Sequence, residues 1–102
     1  MRVAYPVFIA RNNKDYLVYI PDLDIFTEGK SPADAIAMAR DAICLTGIER
    51  EDEHEFCPEP SSYEEARIKT MKNADDADFR YTDGICTLVD VDFDDYRKRP
   101  EK

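Results

Sequence analysis

Two runs of alternating apolar residues, 3–10 and 16–20, with the polar run Asn12-Asn13-Lys14-Asp15 between them, constrain this chain more than any other feature. In the first run Val3, Tyr5, Val7 and Ile9 fall on one side and Ala4, Phe8 and Ala10 on the other, with Pro6 set aside. In the second, Tyr16, Val18 and Ile20 oppose Leu17 and Tyr19. Side chains of a strand alternate between its two faces, so each run predicts a strand, and the turn formers between them predict an antiparallel hairpin. Pro6 has no backbone N–H to donate, which predicts an edge or a bulge at that point. Pro21-Asp22-Leu23-Asp24 then interrupts the pattern, and 25–27 predicts a short third strand ended by Glu28-Gly29-Lys30.

Ser31-Pro32-Ala33-Asp34 is a helix start: Ser at the N-cap, Pro at the first helical position and an acid facing the positive end of the helix dipole. The helix is predicted to run to about Gly47, a C-terminal breaker. Its core stripe, Ala35, Ile36, Ala39, Ala42 and Ile43, recurs at three and four residues, and the alanines let it lie close to a sheet. Met38 and Leu45 lie one heptad apart on the opposite side with Asp34 and Asp41, so they cannot reach the same core. They cover a second surface, either a partner's or one supplied by the following loop through Phe56.

The segment 49–60 is acidic and interrupted by prolines, which predicts a solvated loop. Ser62-Tyr63-Glu64-Glu65 has capping-box spacing and predicts a short helix to about Met71. After a second acidic stretch, 73–83, Gly84 precedes a strand over 85–93, with Thr87, Val89, Val91 and Phe93 opposite Cys86, Leu88, Asp90 and Asp92. The fold class is therefore α+β: a three-stranded antiparallel meander, a helix, a short helix and a final strand, forming one sheet with helices on one face. The expected division is one domain over 1–93 and a short charged tail over 94–102.

At 102 residues with 43% hydrophobic content, the chain can build one core, and no apolar run approaches the ~20 residues of a membrane helix. Nor does the N-terminus have the apolar core of an export signal, so a cytoplasmic location with no membrane association is expected. Fourteen Lys and Arg against 23 Asp and Glu give a net charge of −9, which repels phosphate backbones and attracts basic partners. Direct binding of nucleic acid by this chain is therefore not expected. Cys44, Cys57 and Cys86 are an odd number at wide spacing beside a single histidine, the pattern of reduced thiols rather than a disulfide framework or zinc site.

Candidate sites are sparse. Asp22, Asp24 and Glu28 cluster around the third predicted strand, and three carboxylates are a conceivable Mg²⁺ site for phosphodiester cleavage. Such a site draws inward-facing carboxylates from several elements, whereas Asp22 and Asp24 read as solvated turn residues able to meet a basic partner. Nothing around His54 resembles a catalytic triad, and glycines at 29, 47 and 84 make no phosphate loop. No catalytic residue, metal or cofactor is expected. Arg97-Lys98-Arg99 reads as a solubilising end or the start of a linker. Asp22, Asp24, Glu28, Met38 and Leu45 are the candidate partner-binding residues.

Taken in order, the segment Tyr5 to Ala10, Asp15-Tyr16-Leu17-Val18-Tyr19-Ile20-Pro21-Asp22-Leu23, Thr27-Glu28-Gly29-Lys30-Ser31-Pro32-Ala33-Asp34-Ala35 and Ala39-Arg40-Asp41-Ala42-Ile43 resemble the N-terminal domain of HicB antitoxins. A further match lies at Leu88-Val89-Asp90-Val91-Asp92-Phe93-Asp94-Asp95-Tyr96-Arg97. The resemblance implies a partial ribonuclease H-type fold and a non-enzymatic domain that binds and masks a small basic HicA-type mRNA-cleaving toxin, with homo-oligomers expected. Many relatives continue past the last segment into a DNA-binding module, for which this chain leaves no room. The alternative it leaves open is a solitary homodimeric scaffold or regulator without a toxin.

Overall fold

The computed structural model describes residues 2–98. Strands β1 (Arg2–Asn12) and β2 (Asp15–Ile20) form the expected hairpin, with Asn13 at its tip in the left-handed region at φ 59°. Asn tolerates that conformation better than most residues. Strand β3 (Ile25–Gly29) continues the meander, and β4 (Ile85–Asp92) adds to the far side of β1. The sheet is antiparallel throughout, in the order β3-β2-β1-β4. Phe8 pairs with Tyr19 on β2, and Val7 with Thr87 on β4.

β1 is thus a central strand, although Pro6 predicts an edge. The two are reconciled by register: β2 pairs with β1 from Phe8 onward, while β4 pairs with it from Arg2 to Ile9. At Pro6 the strand has a neighbour on the β4 side only, and is locally an edge toward β2.

Helix α1 (Pro32–Asp52) opens as its sequence demands, with the Asp34 amide donating to Ser31 Oγ at 3.0 Å. Gly47 does not end it. Five further residues continue the helix, and His54, at φ 59°, closes it: the His54 amide donates to the Glu51 carbonyl and the Glu55 amide to that of Arg50. This is the left-handed exit usually given to glycine or asparagine. Gly47 serves packing instead. A β-carbon there would lie 2.3 Å from the Phe93 ring, which rests on the helix at that point. Similarly, a β-carbon on Gly29 would lie 2.4 Å from the Ala35 backbone nitrogen, so β3 and α1 approach through their main chains.

The main core lies between α1 and one face of the sheet. Val7, Val18, Ile20, Ala35, Ala39, Ile43 and Val89 are all fully buried there, and each larger side chain stabilises the fold by roughly 1.5–3 kcal/mol. Helix α2 (Tyr63–Asn73) carries the full capping box between Ser62 and Glu65, and it packs elsewhere. Ala66 of α2 joins Phe8, Tyr19 and Tyr81 in a second cluster. Phe8 and Tyr19 point away from the Val7 and Val18 face, so α1 and α2 cover opposite faces, not one. The alternate positions of the hairpin, Phe8, Tyr19 and Leu17, are large and apolar and need a cover of their own.

The second acidic stretch is organised by its carboxylates. Asp75 accepts from the Tyr81 and Thr82 amides and the Thr82 hydroxyl, which holds a 3-10 turn (Tyr81–Asp83) against the sheet. Helix α3 (Phe93–Arg97) occupies the first part of the expected tail, capped by Asp92 and packed on the core through Phe93 and Tyr96. Phe93 therefore starts a helix instead of ending β4. The remainder of that tail, 99–102, lies outside the described residues.

Candidate functional site

Helical geometry sets Ala35, Ala39, Ile43 and Gly47 of α1 against the sheet, which turns Asp34, Met38, Asp41, Leu45 and Glu49 to solvent on the opposite side. Met38 is 39% exposed and Leu45 58%. The loop after α1 does not cover them. Its Phe56 is 80% exposed, because the loop is drawn the other way by the Tyr5 hydroxyl, which donates to the Pro58 carbonyl at 2.6 Å. Arg97 pairs with Glu51 at 3.1 Å and Asp52 at 2.9 Å, offsetting charge at the far end of the helix. What remains is an exposed stripe in which carboxylates alternate with apolar side chains.

The three candidate carboxylates near β3 have separate fates. The side chain of Asp22 has no solvent exposure; it accepts from the Ser61 amide at 2.8 Å, the Ser61 hydroxyl and Lys69 Nζ at 2.8 Å. It cannot meet a partner, because the loop before α2 folds over it. Asp24, in the left-handed region at φ 52°, accepts from the Tyr19 hydroxyl at 2.6 Å. Burial, and then that hydrogen bond, push the Tyr19 hydroxyl well above its ordinary value. Glu28 is exposed on β3, on the same face as Phe26 and opposite to α1. Asp24 and Glu28 are thus removed from Met38 and Leu45 by the thickness of the sheet, and the five residues do not form one site.

Among the described residues, no three His, Cys, Asp or Glu side chains are grouped as metal ligands. The three cysteines are thiols outside any disulfide, Cys44 buried and the others half-buried. No helix among the described residues is long and apolar enough to cross a membrane.

Some of the ordered polar chemistry was not foreseeable. Lys69 follows Glu65 by four residues, the spacing of an exposed helical ion pair, yet its ammonium reaches Asp22. Arg40 donates from Nε to the Asp90 carbonyl at 2.9 Å and from a terminal nitrogen to Oδ1 at 3.1 Å. That guanidinium holds the Asp90 carboxyl below the usual range. Its signal in sequence is nil, since the two residues are fifty positions apart.

Residues 5–102 match the model of a family described as the HicB_like antitoxin of bacterial toxin-antitoxin systems. The chain belongs to the HicB-like antitoxin family. Solved structures agree in fold. A toxin-antitoxin complex from Streptococcus pneumoniae matches 100% of this chain and 78% of its own, with a TM-score of 0.76 at 23% identity. The Burkholderia pseudomallei antitoxin HicB matches 98% of this chain and 70% of its own, with a TM-score of 0.69 at 23% identity. No curated protein matches the chain significantly.

Proposed function

We propose that this HicB-like chain is a non-catalytic antitoxin that neutralises a small basic ribonuclease of the HicA type by covering its RNA-binding surface with the outer face of α1. The observation that carries this reading is the stripe Asp34, Met38, Asp41, Leu45 and Glu49, in which exposed apolar groups sit between carboxylates. Carboxylates at helical spacing can take the place of the phosphates that a basic RNA-binding surface holds. The apolar pair supplies the desolvated centre that a stable interface needs. A chain charge of −9 steers a cationic partner toward it.

The test is co-expression with the small basic protein encoded beside it. Recovery of a stable complex and rescue of growth are expected. A toxin that remains free and lethal in the presence of this chain would overturn the reading.

A further inference from the structure

The sheet has a second feature that the α1 surface does not explain. Among the described residues β4 pairs with β1 along one side alone, which leaves the backbone N–H and C=O groups of its other side without a strand partner there. Natural edge strands are commonly guarded by charge, and β3, the opposite edge, carries Glu28 between Asp24 and Lys30. The charges of β4, Asp90 and Asp92, are confined to its C-terminal part, and 84–89 has none. Within that unguarded half Ile85 and Leu88, on opposite faces of the sheet, are 68% and 67% exposed. A cleft of about 690 Å³ flanks it on the α1 side, lined by Ile9, Ile36 and Thr87 between Arg11 and Arg80. Another, of about 390 Å³, lies on the other side against Pro6, Tyr63 and Cys86.

We infer that β4 is a dimerisation edge and that its occupant is β4 of a second copy of this chain. Antiparallel pairing about a two-fold axis at Thr87 sets Ile85 against Val89 and Cys86 against Leu88 of the other copy. Apolar residues meet apolar residues on both faces. The two Asp90 carboxylates are carried apart in opposite directions, each opposite Gly84 of the other copy and beside an Asp83 whose charge Arg80 offsets at 3.5 Å. Arginines at both ends of the strand offset its neighbouring carboxylates: Arg2 and Arg40 contact Asp90 at 3.5 and 3.1 Å and Arg80 contacts Asp83 at 3.5 Å, while Arg11 lines the larger cleft together with Asp78. For two chains each of net charge −9, this edge is a far easier place to meet than the acidic stripe of α1.

Sedimentation equilibrium of the whole chain tests the assignment. The expected mass is twice that of the 11.8 kDa chain, returning to one chain in Leu88→Lys with the melting temperature kept. Ile85→Lys is the second variant, so a folding defect in one leaves the other decisive. Thr87→Cys, in a Cys86→Ser background, should form a symmetric intermolecular disulfide under mild oxidation, and Leu45→Cys should not. A wild-type chain that stays monomeric at millimolar concentration overturns the assignment. So does a dimer dissolved by Leu45→Glu and indifferent to Leu88→Lys, which would place self-association on α1. Loss of toxin binding in Leu88→Lys, with the wild-type chain monomeric by itself, overturns it by giving the edge to the toxin. The edge and the α1 stripe are separate surfaces, and either reading can fail alone.

Discussion

Lys69 Nζ lies 2.8 Å from Oδ1 of Asp22, a carboxylate with no solvent exposure, and this pair fastens α2 to the turn between β2 and β3. Asp22→Ala removes the acceptor of the Ser61 amide, the Ser61 hydroxyl and the Lys69 ammonium together. Breaking a buried pair from one side costs about 3–5 kcal/mol, and because Lys69 is 44% exposed the expected loss is nearer 2 kcal/mol. Urea denaturation measures it. Asp22→Asn retains one acceptor oxygen and should recover part of the loss; equal stability of Asp22→Ala and wild type would show the pair to be idle.

Gly47 and Phe93 reverse an ordinary helix rule. In an exposed helix interior Gly→Ala stabilises by roughly 0.5–1 kcal/mol. At position 47 the new methyl would meet the Phe93 ring, so Gly47→Ala is expected to destabilise by about 1–2 kcal/mol. In a Phe93→Ala background the same substitution should become stabilising. A cycle of four melting curves decides it, and additive effects of the two changes would rule out the contact.

Leu45→Glu should weaken toxin binding by about 2 kcal/mol, close to thirtyfold in Kd, through faster dissociation. A carboxylate buried without a partner at an apolar contact loses more than its long-range attraction to a basic protein returns. Asp41→Lys should act differently, slowing association with a smaller effect at high salt. Surface plasmon resonance at two ionic strengths separates them. Because Leu45 is 58% exposed in the free chain, the fold should survive; unfolding of Leu45→Glu would instead make it a core residue.

Stability should fall at alkaline pH through Tyr5 and Tyr19. Burial pushes both hydroxyls up, assisted by Cys57 at Tyr5 and by Asp24 at Tyr19. A phenol whose folded pKa is raised holds its proton in the folded state after the unfolded state has lost it. Its stabilising contribution is complete below the unfolded value of about 10 and is lost as pH rises beyond it. Tyr19→Phe should lower stability at neutral pH and flatten the decline above that point. A wild-type stability that is level across the alkaline range would refute the linkage.

Where neighbours in sequence are neighbours in space, the fold could be read directly. The hairpin, the Ser31 cap and the Ser62–Glu65 box are settled within a few residues by alternation and capping chemistry, and the structure reproduces them. The end of α1 is not legible locally, because Gly47 has the right chemistry for a stop while its actual reason for being glycine, the Phe93 ring, lies 46 positions away. The burial of Asp22 is hidden for the same reason. In sequence it is a turn aspartate beside a proline, and its burial depends on Ser61 and Lys69, which local patterning cannot bring to it.

By itself, the order of residues determined an α+β chain of one meander, one long helix and a late strand, and it turned Met38 and Leu45 away from the core, because periodicity and charge act over single turns and strands. Tertiary structure alone decided that the helices cover opposite faces of the sheet and that Asp22 is enclosed while Asp24 and Glu28 are separated from α1. It also left the charge-free half of β4 at an open edge. Those outcomes depend on which apolar surfaces find each other across long stretches of chain, and burial is a property of the assembled layers.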